Sequence, residues 1–208
     1  MHQRFLQDSF EGVDHPSRSW VRGWLRDHPG LRLLDIPCGP GVEYEGFERD
    51  DIPVEYLGMD HSDTMLEAFR RRFPNASLQK GSIHRIPLST GSMDVVLCRH
   101  ILEHLEDFRP AVGEAVRVTQ RWLIIVLFRQ PTRGEHRTIG WGAYDNRIDH
   151  DALTMFLDEL AVRHTWHRID HSSAPQPMPP SRDPDTIIVV EKPAGESQGI
   201  GGRQGPAS

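Results

Sequence analysis

The most informative stretch of this chain is Leu33-Leu34-Asp35-Ile36-Pro37-Cys38-Gly39-Pro40-Gly41. Its first half closes an apolar run over residues 31–36 that is typical of a buried β-strand, and its second half carries the glycines of a tight turn. Glycine has no Cβ, so the backbone of such a turn can come close to a ligand. The stretch therefore predicts a strand, a glycine turn, and a ligand at the carboxyl end of that strand.

Short apolar runs alternate with helical patterns along the rest of the chain. Strands are predicted over residues 31–36, 54–59, 76–79, 93–98, 122–128, 162–169 and 186–191. Helices are predicted over residues 14–28, 62–73, 107–119 and 150–161. Strands that alternate with helices indicate a mostly parallel α/β sheet with right-handed connections.

This pattern divides the 208 residues into three parts. Residues 1–30 are predicted to form an N-terminal helical cover, and residues 31–192 to form one α/β domain, a size that suits a single core. Residues 193–208 are rich in Gly, Ser, Gln and Ala. Such a segment contains too little apolar surface to order itself, so we expect a flexible tail.

Composition restricts the classes of binding partner and the cellular compartment that we expect. The formal net charge is −6 and no basic run exceeds Arg70-Arg71-Arg72, which argues against a nucleic-acid partner. The first residues lack the apolar core of a signal peptide, and no segment approaches the roughly 20 apolar residues that cross a bilayer. Cys38 and Cys98 are the two cysteines, and isolated thiols are typical of reduced cytosolic proteins. We expect a cytoplasmic monomer or homodimer without membrane contact.

An acidic residue follows the second predicted strand. Asp60 lies nineteen residues after Gly41, where a carboxylate can accept hydrogen bonds from both hydroxyls of a ribose. Taken singly, Asp60 could cap the next helix and Asp35 could cap a turn. A nucleoside-containing cofactor accounts for both acids together with the glycine turn between them.

Two kinds of nucleoside cofactor fit this outline. A dinucleotide needs Gly-x-Gly-x-x-Gly, but Tyr44 stands at the third glycine position. Asp35 would also repel a diphosphate at the turn, whereas it would attract an amino group. S-adenosylmethionine has an amino group and no phosphate, so these residues favour it over a dinucleotide.

From residue 31 to residue 192 the chain resembles the class I S-adenosylmethionine-dependent methyltransferases, in particular the type 11 group. Residues 33–41 are similar to the family's first motif, residues 81–88 to its third, and residues 94–105 to its fourth strand and the exit from it. The resemblance implies S-adenosyl-L-methionine as the cofactor. It also implies a Rossmann-like, seven-stranded, mostly parallel sheet with an antiparallel last strand and helices on both faces.

The resemblance further implies roles for single residues. Asp35 would hold the methionine part of the cofactor together with the glycines of the turn, Asp60 would hold the ribose, and Met65 would pack on the adenine. Ser82 and its neighbour Ile83 would cap the adenine ring, although the family usually has Asp where Ser82 stands. The predicted cofactor-binding residues are Asp35, Pro37, Gly39, Gly41, Asp60, His61, Met65, Ser82, Ile83, Arg99 and His104.

The segment His100-Ile101-Leu102-Glu103-His104 has two interpretations. It spells His-x-x-Glu-His, a pattern that holds zinc in some metallohydrolases. It also follows the fourth strand, where ligands bind in open α/β sheets, so Arg99, His100 and His104 would lie near the reacting methyl group. We predict no metal, a mainly structural role for His104, and His100 as a candidate general base.

Acceptor contacts are expected from residues 5–19 and 129–147, which would cover the pocket. Trp141 and Tyr144 are predicted to bind the acceptor, and the alternative is that both rings anchor their loop. Enzymes of this fold that methylate bases in nucleic acids resemble one another in an Asn/Asp-Pro-Pro-aromatic segment, where this chain has residues 98–101 instead. A small-molecule acceptor is therefore favoured. The first alternative is a non-catalytic regulator or partner protein that binds the cofactor. The second, less favoured alternative is a zinc hydrolase using His100, Glu103 and His104.

Overall fold

The central element is a seven-stranded sheet in a computed structural model that describes residues 12–134, 137, 139–140, 143–170 and 183–193. Its strands are β1 (Leu31–Asp35), β2 (Val54–Asp60), β3 (Leu78–Lys80), β4 (Met93–Arg99), β5 (Thr119–Leu127), β8 (Arg163–Ile169) and β9 (Asp185–Glu191). A separate hairpin pairs β6 (Ile139–Gly140) with β7 (Ala143–Tyr144). The sheet order is β3-β2-β1-β4-β5-β9-β8, parallel from β3 to β5 and antiparallel on both sides of β9.

Within the described residues, five α-helices precede or connect these strands. They are α1 (Pro16–Arg26), α2 (Val42–Arg49), α3 (Asp63–Arg72), α4 (Arg109–Val118) and α5 (His150–Glu159). Side-chain caps mark two of the starts: Ser62 Oγ accepts from the Met65 N–H before α3, and Asp149 accepts from the Asp151 N–H before α5.

The core lies on both faces of the sheet because side chains alternate along each strand. Leu34 and Val96 belong to the cluster that packs against α4 and α5. Their neighbours Leu33 and Val95 belong to the opposite cluster, which includes residues of α1 and α2. The helix of the predicted N-terminal cover therefore contributes to the core of the α/β domain.

One strand boundary and one helix differ from the sequence prediction, each for a clear physical reason. Strand β5 begins at Thr119 rather than at residue 122, because Gln120 and Arg121 are exposed at its edge and break the apolar pattern. Thr119 also closes α4, where its Oγ1 donates to the Ala115 carbonyl at 2.7 Å. No helix is predicted from the sequence over Val42–Arg49, a short segment containing Gly46, because glycine disfavours a helix.

The tail, apart from Pro193, and the predicted acceptor residue Trp141 lie outside the described residues. Within the described ranges, none of the helices combines the length and the apolar character needed to cross a membrane.

Candidate active site

A cavity of about 690 Å³ opens at the carboxyl ends of β1, β2 and β4. Strand β1 lies between β2 and β4, so the chain reverses its direction of winding there, which is where open α/β sheets bind ligands. The cavity brings together nine of the predicted site residues: Asp35, Pro37, Gly39, Asp60, His61, Met65, Arg99, His100 and His104.

The glycine turn forms one wall. Gly39 and Gly41 have positive φ angles of 52° and 85°, in the left-handed region that glycine adopts without strain. Gly41 does not line the cavity. A Cβ there would come within 2.9 Å of the Phe69 ring, so this glycine permits the close approach of α3 to the turn.

Asp60 joins the loop after β1 to the loop after β2. Its carboxylate is buried, with Oδ2 accepting from the Gly39 N–H at 3.0 Å and Oδ1 accepting from the Ser62 N–H at 2.9 Å. These two bonds fix the carboxylate at the cavity wall. Each oxygen has a second lone pair with which it can accept a ligand hydroxyl.

Asp35 presents a buried carboxylate oxygen to the same cavity. Tyr56 Oη donates to Asp35 Oδ2 at 2.8 Å, whereas among the described residues no group donates to Asp35 Oδ1. Burial, followed by the negative charge of Glu43, raises the pKa of Asp35 to about 8. A cation at Oδ1 would satisfy this oxygen and stabilise its charge, so the site fits an ammonium group.

The floor of the cavity contains a buried ion-pair cluster that sequence reasoning missed. Arg18 Nη1 of α1 lies 2.7 Å from Glu43 Oε1 of α2, and Arg99 Nε of β4 lies 3.4 Å from the same oxygen. Arg99 Nη2 also lies 3.6 Å from Asp185 Oδ2 of β9. Charged residues on four elements carry no periodic signal, and an acid in the first turn of a helix, such as Glu43 in α2, is common. The sequence therefore contained no sign of this cluster. The other cavity-lining residues absent from the prediction are Cys38, Pro40, Val42, Ser62, Ile101 and Phe128.

Two predicted adenine contacts and one predicted acceptor contact do not line this cavity. Ser82 is exposed in a short bridge to Arg85, and Ile83 is buried in the core beneath it. Tyr144 does not line the cavity either, and its carbonyl lies 2.8 Å from His104 Nδ1. The roles of these side chains remain predictions.

The His-x-x-Glu-His segment does not form a helical metal site. Residues Leu102–His104 form a single 3₁₀ turn, and Glu103 is buried, with its Oε1 accepting from the Phe128 N–H at 2.8 Å. His100 and His104 flank the Phe128 ring at the cavity, with centroid distances of 5.3 and 5.5 Å. Within the ranges that the structure describes, no three His, Cys, Asp or Glu side chains are grouped to hold a metal ion.

Comparison with known proteins finds a family match in the middle of the chain. Residues 34–125 match the family model described as "Methyltransferase domain". An uncharacterized 37.1 kDa protein in a transposon of Streptomyces fradiae is 36% identical over 98 residues, covering 45% of this chain and 28% of the relative. Demethylmenaquinone methyltransferase of Renibacterium salmoninarum is 30% identical over 113 residues, covering 53% of this chain and 47% of the relative. The chain thus spans less than half the length of either relative.

A solved structure extends the likeness to most of the fold. The 1,6-didemethyltoxoflavin-N1-methyltransferase of Burkholderia thailandensis, with bound 1,6-didemethyltoxoflavin and S-adenosylhomocysteine, matches with a TM-score of 0.68 at 11% identity. The match covers 86% of this chain and 80% of that one. At this identity the likeness shows the fold alone, and it confirms the predicted Rossmann-like sheet with its antiparallel last strand.

Proposed function

We propose that this chain, in which residues 34–125 match a methyltransferase-domain family model, binds S-adenosylmethionine and methylates a small-molecule acceptor. The observation that carries the proposal is the pair of buried carboxylates, Asp35 and Asp60, at one cavity wall. Asp35 Oδ1 suits the cofactor's ammonium group, and Asp60 suits its ribose hydroxyls. When bound, the cofactor supplies a methyl group on a positively charged sulfur.

The size of the cavity supports a small acceptor. Its volume of about 690 Å³ lies in the range of about 300–1,000 Å³ typical of small-ligand sites. Two of the similar proteins are named for small acceptors, a demethylated menaquinone and a didemethylated toxoflavin. Trp141 and Tyr144 as acceptor contacts, the cytoplasmic location and the monomeric or homodimeric state remain predictions from the sequence.

The chain's own residues orient the reactants and exclude water. The turn at Gly39 and the carboxylate of Asp60 hold the nucleoside side, while Arg99, His100 and His104 lie at the exit of β4. In-line methyl transfer gains much of its rate from such alignment. The sequence offers His100 as a candidate for removing a proton from the acceptor.

The first experiment measures binding and transfer together. The protein is titrated with S-adenosylhomocysteine by calorimetry, and then incubated with ¹³C-methyl S-adenosylmethionine and a small-molecule extract. We expect binding, and a labelled product that is absent without protein. Binding without any product would favour the non-catalytic alternative, and absence of binding would overturn the proposal.

A matched pair of variants assigns the binding to Asp60. We expect Asp60→Asn to weaken S-adenosylhomocysteine binding about 10- to 100-fold, because a hydrogen bond to a charged group contributes about 1.5–3 kcal/mol. Asp63→Asn is the control: this acid lies three residues away and forms an exposed pair with Lys80. Equal affinities of the two variants would contradict the assignment.

A further inference from the structure

The ring of His104 is hydrogen-bonded through one nitrogen beside the cavity. The residue ends the 3₁₀ turn Leu102–His104, is exposed, and lines the cavity. Its Nδ1 lies 2.8 Å from the carbonyl oxygen of Tyr144 in β7. A carbonyl oxygen can only accept a hydrogen bond, so the hydrogen of this bond belongs to Nδ1. A neutral imidazole with its hydrogen on Nδ1 has a lone pair on Nε2.

The Tyr144 carbonyl is held beside the ring by the chain that follows it. The Asn146 N–H donates to the Glu103 carbonyl at 2.8 Å, and Asn146 Nδ2 donates to the Leu105 carbonyl at 2.7 Å. These two acceptors come from the residues on either side of His104 in the chain. The 3₁₀ turn and the end of β7 therefore hold each other in place, and the fixed carbonyl selects one tautomer of the ring.

Packing sets the plane of the ring and leaves Nε2 available. The His104 ring stacks on Phe128 with a centroid distance of 5.5 Å and an interplanar angle of 28°. Among the described residues, the bond to the Tyr144 carbonyl is the only hydrogen bond of this side chain. Nε2 can therefore accept a hydrogen bond from a ligand in the cavity.

His100, the candidate base offered by the sequence, has different surroundings. Its Nε2 is shielded from solvent and lies 3.5 Å from Oδ2 of the buried Asp185, which is too far for a hydrogen bond between these atoms. This contact does not select a tautomer, whereas the 2.8 Å bond of His104 does. The described contacts therefore favour His104 as the residue that receives a proton from the acceptor.

The surface next to His104 is apolar. Ile101, just before the 3₁₀ turn, and Phe128, just after β5, line the cavity together with His104. An apolar surface disfavours a charged ammonium acceptor, but it accommodates a neutral alcohol or phenol whose hydroxyl donates to Nε2. A hydroxyl also needs a base, because it is a weak nucleophile until it loses its proton.

We propose that His104 is the general base of this methyl transfer and that the acceptor is an alcohol or a phenol, an inference that rests on the function proposed above. The acceptor oxygen forms a bond to the methyl carbon while the carbon–sulfur bond breaks and leaves its electron pair on sulfur. The hydroxyl proton passes to Nε2. The products are the O-methyl compound, S-adenosylhomocysteine and a protonated His104 whose Nδ1–H stays on the Tyr144 carbonyl.

The tautomer of His104 is measured without cofactor or acceptor. Full-length protein labelled with ¹⁵N-histidine is examined at pH 8 by long-range ¹H–¹⁵N correlation, and the His104 signals are identified by their absence from His104→Gln. We expect the Nδ1–H tautomer. A ring that is protonated at Nε2 or at both nitrogens, or a mixture of tautomers, would overturn the proposal.

Two other histidines calibrate this measurement. His28 Nδ1 lies 2.8 Å from the Trp24 carbonyl, so His28 should also have its hydrogen on Nδ1. His164 Nδ1 accepts from Trp166 Nε1 at 3.1 Å, so His164 should have its hydrogen on Nε2. Signals of His104 that match those of His28 support the assignment, and signals that match those of His164 contradict it.

His104→Asn distinguishes a base from a residue that only holds the loop. Its amide N–H stands close to the position of Nδ1 and can still donate to the Tyr144 carbonyl, but no atom replaces Nε2. At saturating S-adenosylmethionine we expect methyl transfer to slow about 100-fold or more, because general bases typically contribute that much. A rate close to that of the wild type would show a purely structural role and overturn the proposal.

His28→Asn is the matched control, because His28 has the same kind of carbonyl contact and does not line the cavity. Its rate should equal that of the wild type. If His104→Asn does not fold, the wild-type tautomer decides alone. Since the tautomer is read without cofactor, failure of this inference and failure of the proposed function are distinguishable.

The acceptor class has its own measurement. The ¹³C shift of the methyl group transferred to the small-molecule extract distinguishes a methyl on oxygen from one on nitrogen or carbon. We expect a product methylated on oxygen. A product methylated on nitrogen or carbon would overturn the hydroxyl assignment.

Discussion

Asp35 is a carboxylic acid whose folded environment favours the protonated form. Its pKa is about 8, because burial and the nearby charge of Glu43 disfavour the ionised form more than the hydrogen bond from Tyr56 stabilises it. At pH 7 the carboxyl group is therefore mostly protonated in the ligand-free protein. An ammonium group placed at Oδ1 would lower this pKa again, and the proton would leave.

Proton release on cofactor binding is the measurable consequence. We expect the wild type to release about one proton when it binds S-adenosylhomocysteine at pH 7, and the release to fade above pH 8, where Asp35 is already ionised. Calorimetry in buffers of different ionisation enthalpy measures it. Asp35→Asn should abolish the release, and Asp63→Asn should preserve it. Heats that do not depend on the buffer in the wild type would show that Asp35 does not meet the ammonium group.

Among the elements of the fold, the 3₁₀ turn Leu102–His104 connects the exit of β4 with the segments that follow β5 and β7. Glu103 Oε1 accepts from the Phe128 N–H, and the Glu103 carbonyl accepts from the Asn146 N–H, both at 2.8 Å. Burial raises the pKa of Glu103 to about 8. One buried residue, through its side chain and its backbone carbonyl, thus braces two loops beside the cavity.

Glu103→Gln tests this brace through its pH dependence. A folded pKa raised above the ordinary glutamate value means that stability is fully present below about pH 4.3 and is lost as the pH rises toward 8. Denaturant unfolding should therefore give similar free energies of unfolding for the wild type and the variant near pH 4. As the pH rises to 8, the variant should become increasingly more stable than the wild type. Glu103→Ala should lose about 2–4 kcal/mol near pH 4, because the Phe128 N–H loses its acceptor and a void remains. A difference in the free energy of unfolding between the wild type and Glu103→Gln that does not change with pH would contradict this account.

At the scale of the whole fold, helix α1 and strand β9 meet at the cavity floor. Ser17 and Asp185 are 168 residues apart in the chain, yet their side chains form a buried hydrogen bond. Strand β9 lies between β5 and β8, which places Asp185 at the same end of the sheet as the exit of β4. The two distant parts of the chain together complete the surroundings of His100.

Ser17→Ala measures the contribution of this link. We expect a loss of about 2 kcal/mol in the free energy of unfolding, because a buried carboxylate loses a hydrogen bond. Ser89→Ala, at an exposed serine between β3 and β4, should change stability by less than about 0.5 kcal/mol. Chemical denaturation of both variants gives the comparison, and similar losses would indicate that the link adds nothing.

The fold and about half of the residues that line the cavity could be predicted from the amino-acid sequence. Strand periodicity, the glycine turn and the acid that follows the second strand act within short stretches of chain, so Asp35, Gly39 and Asp60 could be assigned from spacing. The resemblance places Ser82 and Ile83 at the adenine, whereas neither residue lines the cavity in the folded chain, so their role stays a prediction.

The floor of the cavity depends on tertiary structure. His15 and Arg18 belong to the start of α1, whereas Glu43 lies in α2 and Asp185 in β9. Each looks like an ordinary charged or capping residue where it stands in the sequence. Their charges interact strongly because the packed sheet and helices exclude water around them. Exclusion of water is a property of the assembled core, so no local pattern of residues could have revealed which acid lies behind His100.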